Sequence, residues 1–403
     1  MQTLNGKVPL VTGANRAVGK RIALEFLEAG ATARNWWHLP QGSGRAFTQK
    51  LFTLLLVFLS CASCEAQNFA QRADQYLNKY SREQFMGSVL VARAGKVLFT
   101  KSYGFADLEN DVLNTPETKF NICSLTKQFT GLAVLQLAER GKLKLEDPVS
   151  KYYEEAPPAW EKITIYHLLS HTSGIPNPGS LNDYPKGIAQ PYTPKELIAI
   201  FRDKPLDFPP GARRKYSNSG YYLLGLIIEK ASGQKYADYL QQNIFGPLGM
   251  RDSGYESNTA ILKHRASGYA LDGNNFQHAD YVDWTVPYAA GALYSTVENL
   301  LRWDQALYME KLLNRSSLDH LFTPEKSGYN YGWFIKTENG RQKIYHEGGN
   351  PGYAAFIARY PADKTFVIVL SNLETAPVSK IADDLVALSF GESVATPKAS
   401  RQD

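Results

Sequence analysis

Ser124-Leu125-Thr126-Lys127 sets a hydroxyl and an amine three residues apart, the spacing that puts two side chains on one face of a helix. Serine is a weak nucleophile at its free pKa. A lysine held out of water can shed its proton and act as the base beside it. The run from Gln128 to Ala138 is apolar enough to bury such a helix. A bare Ser-x-x-Lys recurs by chance in 403 residues, so its companions carry the weight. Tyr216-Ser217-Asn218 follows Phe208-Pro209-Pro210-Gly211, a turn signal. In an extended or tightly turned segment Tyr216 and Asn218 point to the same side. The phenol can relay a proton to a leaving group. The amide can donate to a substrate carbonyl and accept from Lys127. In isolation the triplet fits a surface turn equally well. His346-Glu347-Gly348-Gly349 precedes an apolar stretch from Tyr353 to Tyr360. Glycines beside a strand let a ligand approach the backbone, and a free N–H there can stabilise an oxyanion.

Taken in order, these three motifs resemble the penicillin-recognising serine hydrolases: class C β-lactamases, D-alanyl-D-alanine carboxypeptidases, D-aminopeptidases and class VIII esterases. That family runs Ser-x-x-Lys, Tyr-x-Asn, then Lys-Thr-Gly or His-x-Gly. Leu168 to Pro176, Asn218 to Gly225 and Pro247-Leu248-Gly249-Met250 look like its framework, and the likeness extends from Phe69 to Phe390. The resemblance implies an acyl-enzyme on Ser124, with Lys127 as base, alone or with Tyr216. It implies that Tyr216 passes the proton to the leaving group and activates the deacylating water, and that Asn218 orients the substrate and Lys127. It places His346 and Gly348 along the substrate edge, and the N–H groups of Ser124 and Gly349 in the oxyanion hole. No cofactor or metal is implied. Most β-lactamases of the family carry lysine where His346 stands. A histidine, with an unperturbed pKa near ~6.5, is mostly neutral at pH 7. The expectation is therefore a small-molecule substrate, an ester or a D-amino-acid peptide or amide, before a penicillin or cephalosporin. A non-catalytic penicillin-fold binding protein is the alternative of another class. Arg213, Arg214 and Lys215 could supply the missing positive charge, although a solvated basic turn accounts for them too.

Other chemistries fit less well. No Gly-x-Ser-x-Gly elbow is present, which argues against an α/β-hydrolase. Cys123 adjoins Ser124, but a neighbour on a helix points about 100° away, so a buried structural thiol is expected. His167 and His171 have the spacing of a zinc pair. With no acidic residue between them, they read as structural.

The first 66 residues read as two pieces. Gly6 to Gly19 looks like the opening of a short-chain dehydrogenase, and the likeness ends near Ala33 with no acidic ribose ligand. One βα unit cannot bury its own faces, so 1–44 is expected to be a truncated Rossmann-like fragment without function. A dinucleotide-dependent oxidoreductase would rest on that piece alone. Residues 45–66 have a charged start, an apolar run from Leu51 to Leu59 and small residues after it. That is a signal-peptide-like leader, too short to span a membrane at about 20 residues. It predicts a periplasmic or secreted protein, cleaved near Ala66 or anchored to the membrane by lipidation at Cys61 or Cys64. The chain has 44 Lys and Arg against 39 Asp and Glu. Residues 1–66 hold seven of the basic and three of the acidic groups, so the rest is close to neutral and suggests no nucleic-acid partner. Cys123 alone remains beyond the leader.

To position the motifs, residues 67–395 must form one hydrolase domain, with 396–403 as a tail. Gly87–Arg93 and Lys96–Thr100 read as a hairpin, as do Ala354–Tyr360 and Thr365–Leu370. Ala70–Tyr80 and Val378–Ser389 have helical spacing and should cover the sheet. Thr193–Arg202, Tyr221–Ser232, Tyr236–Ile244 and Val297–Leu307 read as helices between. The fold class is therefore α+β: an antiparallel β-sheet flanked by helices, with an inserted, mainly helical lobe and the Ser124 helix at their junction. Stretches 176–192 and 271–279 read as loops lining the cleft.

Overall fold

The computed structural model describes residues 68–181, 189–324 and 327–395, all within the unit Asn68–Asp403. The expected fragment 1–44, the leader 45–66 and the tail 396–403 lie outside the described residues, as do 182–188 of the first predicted loop.

Seven strands form one antiparallel sheet: β1 (Gly87–Arg93), β2 (Lys96–Tyr103), β3 (Tyr329–Asn330), β4 (Trp333–Glu338), β5 (Arg341–Asn350), β6 (Tyr353–Tyr360) and β7 (Thr365–Ser371), in the order β3-β4-β5-β6-β7-β1-β2. The pairing of β1 with β7, Val89 opposite Val369, joins the early and late parts of the chain. Side chains alternate faces along a strand, and the two faces of β1 and β7 separate accordingly. Val89, Val91, Val367 and Val369 pack beneath α1 (68–77) and a C-terminal helix, Val378–Ser389. Leu90, Ala92, Ile368 and Leu370 face the inserted lobe.

The lobe occupies the chain between β2 and β3 and is built around α2 (Thr126–Glu139), whose residues from Thr126 to Leu137 are all buried. A helix surrounded on all sides needs no polar stripe, and its polar groups bond inward. Gln128 accepts from the Trp303 indole at 3.1 Å, and Thr126 Oγ1 accepts from the Leu293 N–H at 3.2 Å. Around it lie α3 (Asn218–Ser232) and α4 (Val297–Ala306). The helix predicted over Tyr236–Ile244 is α-helical only to Leu240 and continues as a π turn, Gln241–Phe245.

One predicted loop is not a loop. Tyr269–Asp272 and Asn275–His278 pair as a hairpin, turning at Gly273 with φ +59°. Asp-Gly is a hairpin signal that the polar composition of 271–279 masked. The hairpin bonds Leu108, Glu109 and Asn372. Among the described residues no helix is long and apolar enough to cross a membrane.

Candidate active site

Ser124 sits in a 3-10 turn, Cys123–Leu125, that runs directly into α2. Cys123 enters the turn at φ +52°, a conformation that costs a residue with a Cβ about 1–3 kcal/mol unless its surroundings hold it. Here the Cys123 N–H donates to Asn121 Oδ1 at 2.9 Å, and the Ile122 N–H donates to the Leu293 carbonyl at 2.9 Å. The thiol is buried and points to the Tyr353 carbonyl at 3.6 Å. Burial pushes its pKa well up, so it is a poor nucleophile.

Lys127 is fully buried. Its Nζ lies 2.9 Å from Ser124 Oγ and donates to the Ala290 carbonyl at 2.7 Å. Burial pushes the amine well below the ordinary lysine range. Its place in the first turn of α2 acts in the same direction, since a helix N-terminus disfavours a cation. Tyr216 donates its phenol to Ser124 Oγ at 2.9 Å. Burial holds that phenol above its usual pKa, so it keeps its proton at neutral pH. The expected trio is thus assembled around one oxygen.

His346 is buried at 1% exposure. Burial, then repulsion by Lys127, lowers its pKa to about 3. Its Nδ1 lies 2.5 Å from the Glu347 carbonyl and must be the donor, so Nε2 accepts from the Tyr329 hydroxyl at 3.1 Å. The ring is neutral and both nitrogens are engaged. Gly348 is required by close approach: a Cβ there would come within 2.6 Å of the Ser124 nitrogen. A Cβ at Gly349 would meet only the Tyr353 carbonyl, at 4.0 Å, so β5 lies flat on the nucleophile turn at one glycine and opens at the next.

Asn218 departs from expectation. It opens α3, its N–H donates to Asn177 Oδ1 at 3.0 Å, and its own buried Oδ1 has no partner among the described residues. Lys127 is held instead by the Ala290 carbonyl. That acceptor was invisible in the sequence, because a main-chain oxygen has no side-chain signature. Tyr329 beneath His346 was also missed. His171 packs at a tilt against Tyr216 with 4.4 Å between ring centres, and its Nδ1 accepts from the Ser217 N–H at 3.3 Å. His167 Nδ1 accepts from the Thr164 N–H at 3.2 Å in a capping box. The two histidines serve different helix ends and share no site.

A buried amine, a phenol and a glycine strand edge converging on one serine can perform acyl transfer. Comparison with known proteins agrees: residues 69–391 match the beta-lactamase family model. This chain belongs to the beta-lactamase family. It is similar to penicillin-binding protein 4* of Bacillus subtilis (strain 168), at 31% identity over 73% of this chain and 69% of that protein. It is also similar to protein flp of Staphylococcus aureus (strain MRSA252), at 32% identity over 74% of this chain, of whose length it spans 61%. Among solved structures, a penicillin-binding protein from Bacillus halodurans superposes with a TM-score of 0.69 at 30% identity, covering 78% of this chain and 98% of that one. A penicillin-binding and beta-lactamase-like fold, in a family of serine hydrolases, is therefore shown.

Proposed function

We propose that this chain is a serine hydrolase that works through an acyl-enzyme on Ser124 and cleaves small carboxylic esters or D-amino-acid-containing peptides and amides. One observation carries the reading: Ser124 Oγ lies 2.9 Å from both a buried lysine amine and a tyrosine hydroxyl. Lys127 takes the Ser124 proton as Oγ attacks the acyl carbon. The N–H groups of Ser124 and Gly349 receive the developing oxyanion. Tyr216 hands its proton to the leaving group and is reprotonated from Lys127, and the acyl–leaving-group bond breaks. A water then attacks the acyl carbon while its proton passes through Tyr216 to the neutral Lys127; the bond from the acyl carbon to Ser124 Oγ breaks, and Lys127 returns that proton to Oγ as the acid leaves. Asn218, two residues after Tyr216, orients the substrate in this reading.

Neutral His346 supports ester or peptide substrates over strongly anionic β-lactams. The names of the relatives favour a second reading, acylation by penicillins. The leader supports export, and 67–395 is read as the hydrolase domain. A panel of short-chain p-nitrophenyl esters, D-Ala-D-Ala peptides, D-amino-acid amides and nitrocefin on the purified chain tests these readings. Turnover of esters or D-peptides above nitrocefin is expected. Hydrolysis of nitrocefin alone would favour the β-lactamase, and no turnover or acylation of any would favour a binding protein.

A further inference from the structure

We propose that a cavity in the helical lobe, walled by Tyr236, Tyr255, Tyr288 and Glu229, binds a small organic ammonium ion of the quaternary kind that choline carries. The cavity measures about 200 Å³. Sites for drug-sized ligands run to about 300–1,000 Å³, so this one suits a headgroup. It shares no residue with the Ser124 site. Glu229 lies eleven residues along α3 from Asn218, about 16 Å at the helical rise. The proposal therefore goes beyond the hydrolase reading and does not rest on it.

Three tyrosine rings meet there at steep angles. The Tyr236 ring centre lies 6.1 Å from that of Tyr255 at 79°, and 5.4 Å from that of Tyr288 at 56°. Two of the rings are fixed by their hydroxyls before any ligand arrives: Tyr236 meets Thr130 Oγ1 at 2.7 Å, and Tyr255 donates to the Trp284 carbonyl at 3.0 Å. Tyr288 is 6% exposed, and its hydroxyl has no hydrogen-bond partner among the described residues. Burial, then the Glu229 carboxylate, raises the pKa of the Tyr288 and Tyr255 phenols, so the cage stays uncharged apart from Glu229 itself. Glu229 accepts from the Tyr236 N–H at 2.9 Å and has no salt bridge among the described residues. Lys235 is the only cation in the lining. It is exposed, and its long stem lets the ammonium stay in water. Aromatic faces carry negative charge density, and beside an unpaired carboxylate they favour a cation. A hard metal ion takes about six to eight oxygen ligands, which one carboxylate among rings does not supply. A methylated ammonium needs no such shell and gains from the rings.

The test pairs choline with its uncharged isostere, in which a tert-butyl group replaces the trimethylammonium. Titration calorimetry measures both on the full chain and on Glu229→Gln, Tyr255→Leu, Tyr255→Phe and Ser124→Ala. Choline should saturate one site and bind about tenfold or more tighter than the isostere. Glu229→Gln and Tyr255→Leu should each weaken choline by about fivefold or more, and Tyr255→Phe, which keeps the ring, should stay within about threefold of wild type. Glu229→Gln preserves size and the acceptor for the Tyr236 N–H, and a thermal melt checks that each variant is folded. Ser124→Ala should bind choline as wild type does, so the result is read whether or not the chain proves to be a hydrolase. Equal affinity for choline and the isostere, no saturable choline binding, or choline affinity unchanged in both Glu229→Gln and Tyr255→Leu would overturn the proposal.

Discussion

Lys127 has a lone pair to offer only while it is uncharged, and its contacts act on that balance in both directions. The Tyr216 and Tyr221 rings, 5.0 and 5.5 Å from Nζ, favour the cation by about 0.5–2 kcal/mol. Complete removal from water costs an ion several kcal/mol and outweighs them. The base must be neutral, so kcat/KM should fall as pH drops through the lowered lysine pKa. A pH–rate profile checks that its acid limb lies below the ordinary lysine range. Lys127→Ala should cost on the order of a thousandfold or more in kcat, since nucleophile and base act as a unit. Lys127→Arg should not restore it, because a guanidinium keeps its proton; recovery with arginine would show that only the charge mattered. His346 gives a second expectation. Its pKa is about 3 when folded and ~6.5 unfolded, so the unfolded chain gains a proton first and stability falls as pH drops through that window. Urea titrations should show wild type losing up to about 2 kcal/mol more than His346→Gln between pH 6.5 and 5.

The segment Tyr288–Gly291 carries the acceptor that holds Lys127, and it is clasped at two further points, one from α2 and one from β5. Thr130 Oγ1 donates to the Ala289 carbonyl at 2.7 Å and meets the Tyr236 hydroxyl at 2.7 Å. Asn350, at the end of β5, donates to the Gly291 carbonyl at 3.0 Å. Tyr288 itself sits at φ +39°. Thr130→Val should leave a carbonyl and a hydroxyl buried without partners, at a cost of about 1–3 kcal/mol. A lowered Tm should accompany a lower kcat at nearly constant KM, and unchanged kcat would separate the clasp from catalysis. Elements of this kind were only partly legible in the sequence. The helix Val378–Ser389 announced itself through periodicity, α2 through a nearly unbroken apolar run, and the β1–β2 hairpin through two short β-prone runs. Ser124, Lys127 and Tyr216 were legible because side-chain chemistry at fixed spacing leaves a pattern. The Ala290 carbonyl and the Tyr329 hydroxyl were not, since one is main chain and the other reaches His346 only through strand register.

At the scale of the molecule, a two-faced sheet joins the chain's early and late strands and leaves the lobe to bury its own polar seams. One seam is under electrostatic tension. Glu256, 2% exposed, lies 3.5 Å from Arg265, and burial raises its pKa to about 7. A folded-state pKa above the unfolded 4.5 means stability that is present at low pH and lost as pH rises through 7. Glu256→Gln, which resembles the neutral acid, should raise stability at pH 8 by up to about 3 kcal/mol and at pH 5 by only about 1 kcal/mol or less. Thermal melts at the two pH values check this, and destabilisation at pH 8 would mean that the Arg265 pair outweighs burial. All of these outcomes surround the one chemical event proposed above, a covalent bond to Ser124. Intact-mass and peptide mapping after exposure to a fluorophosphonate measure it directly. One adduct on Ser124 in wild type and none in Ser124→Ala is the expected result. No adduct, or an adduct on Cys123 or another serine, would contradict the account.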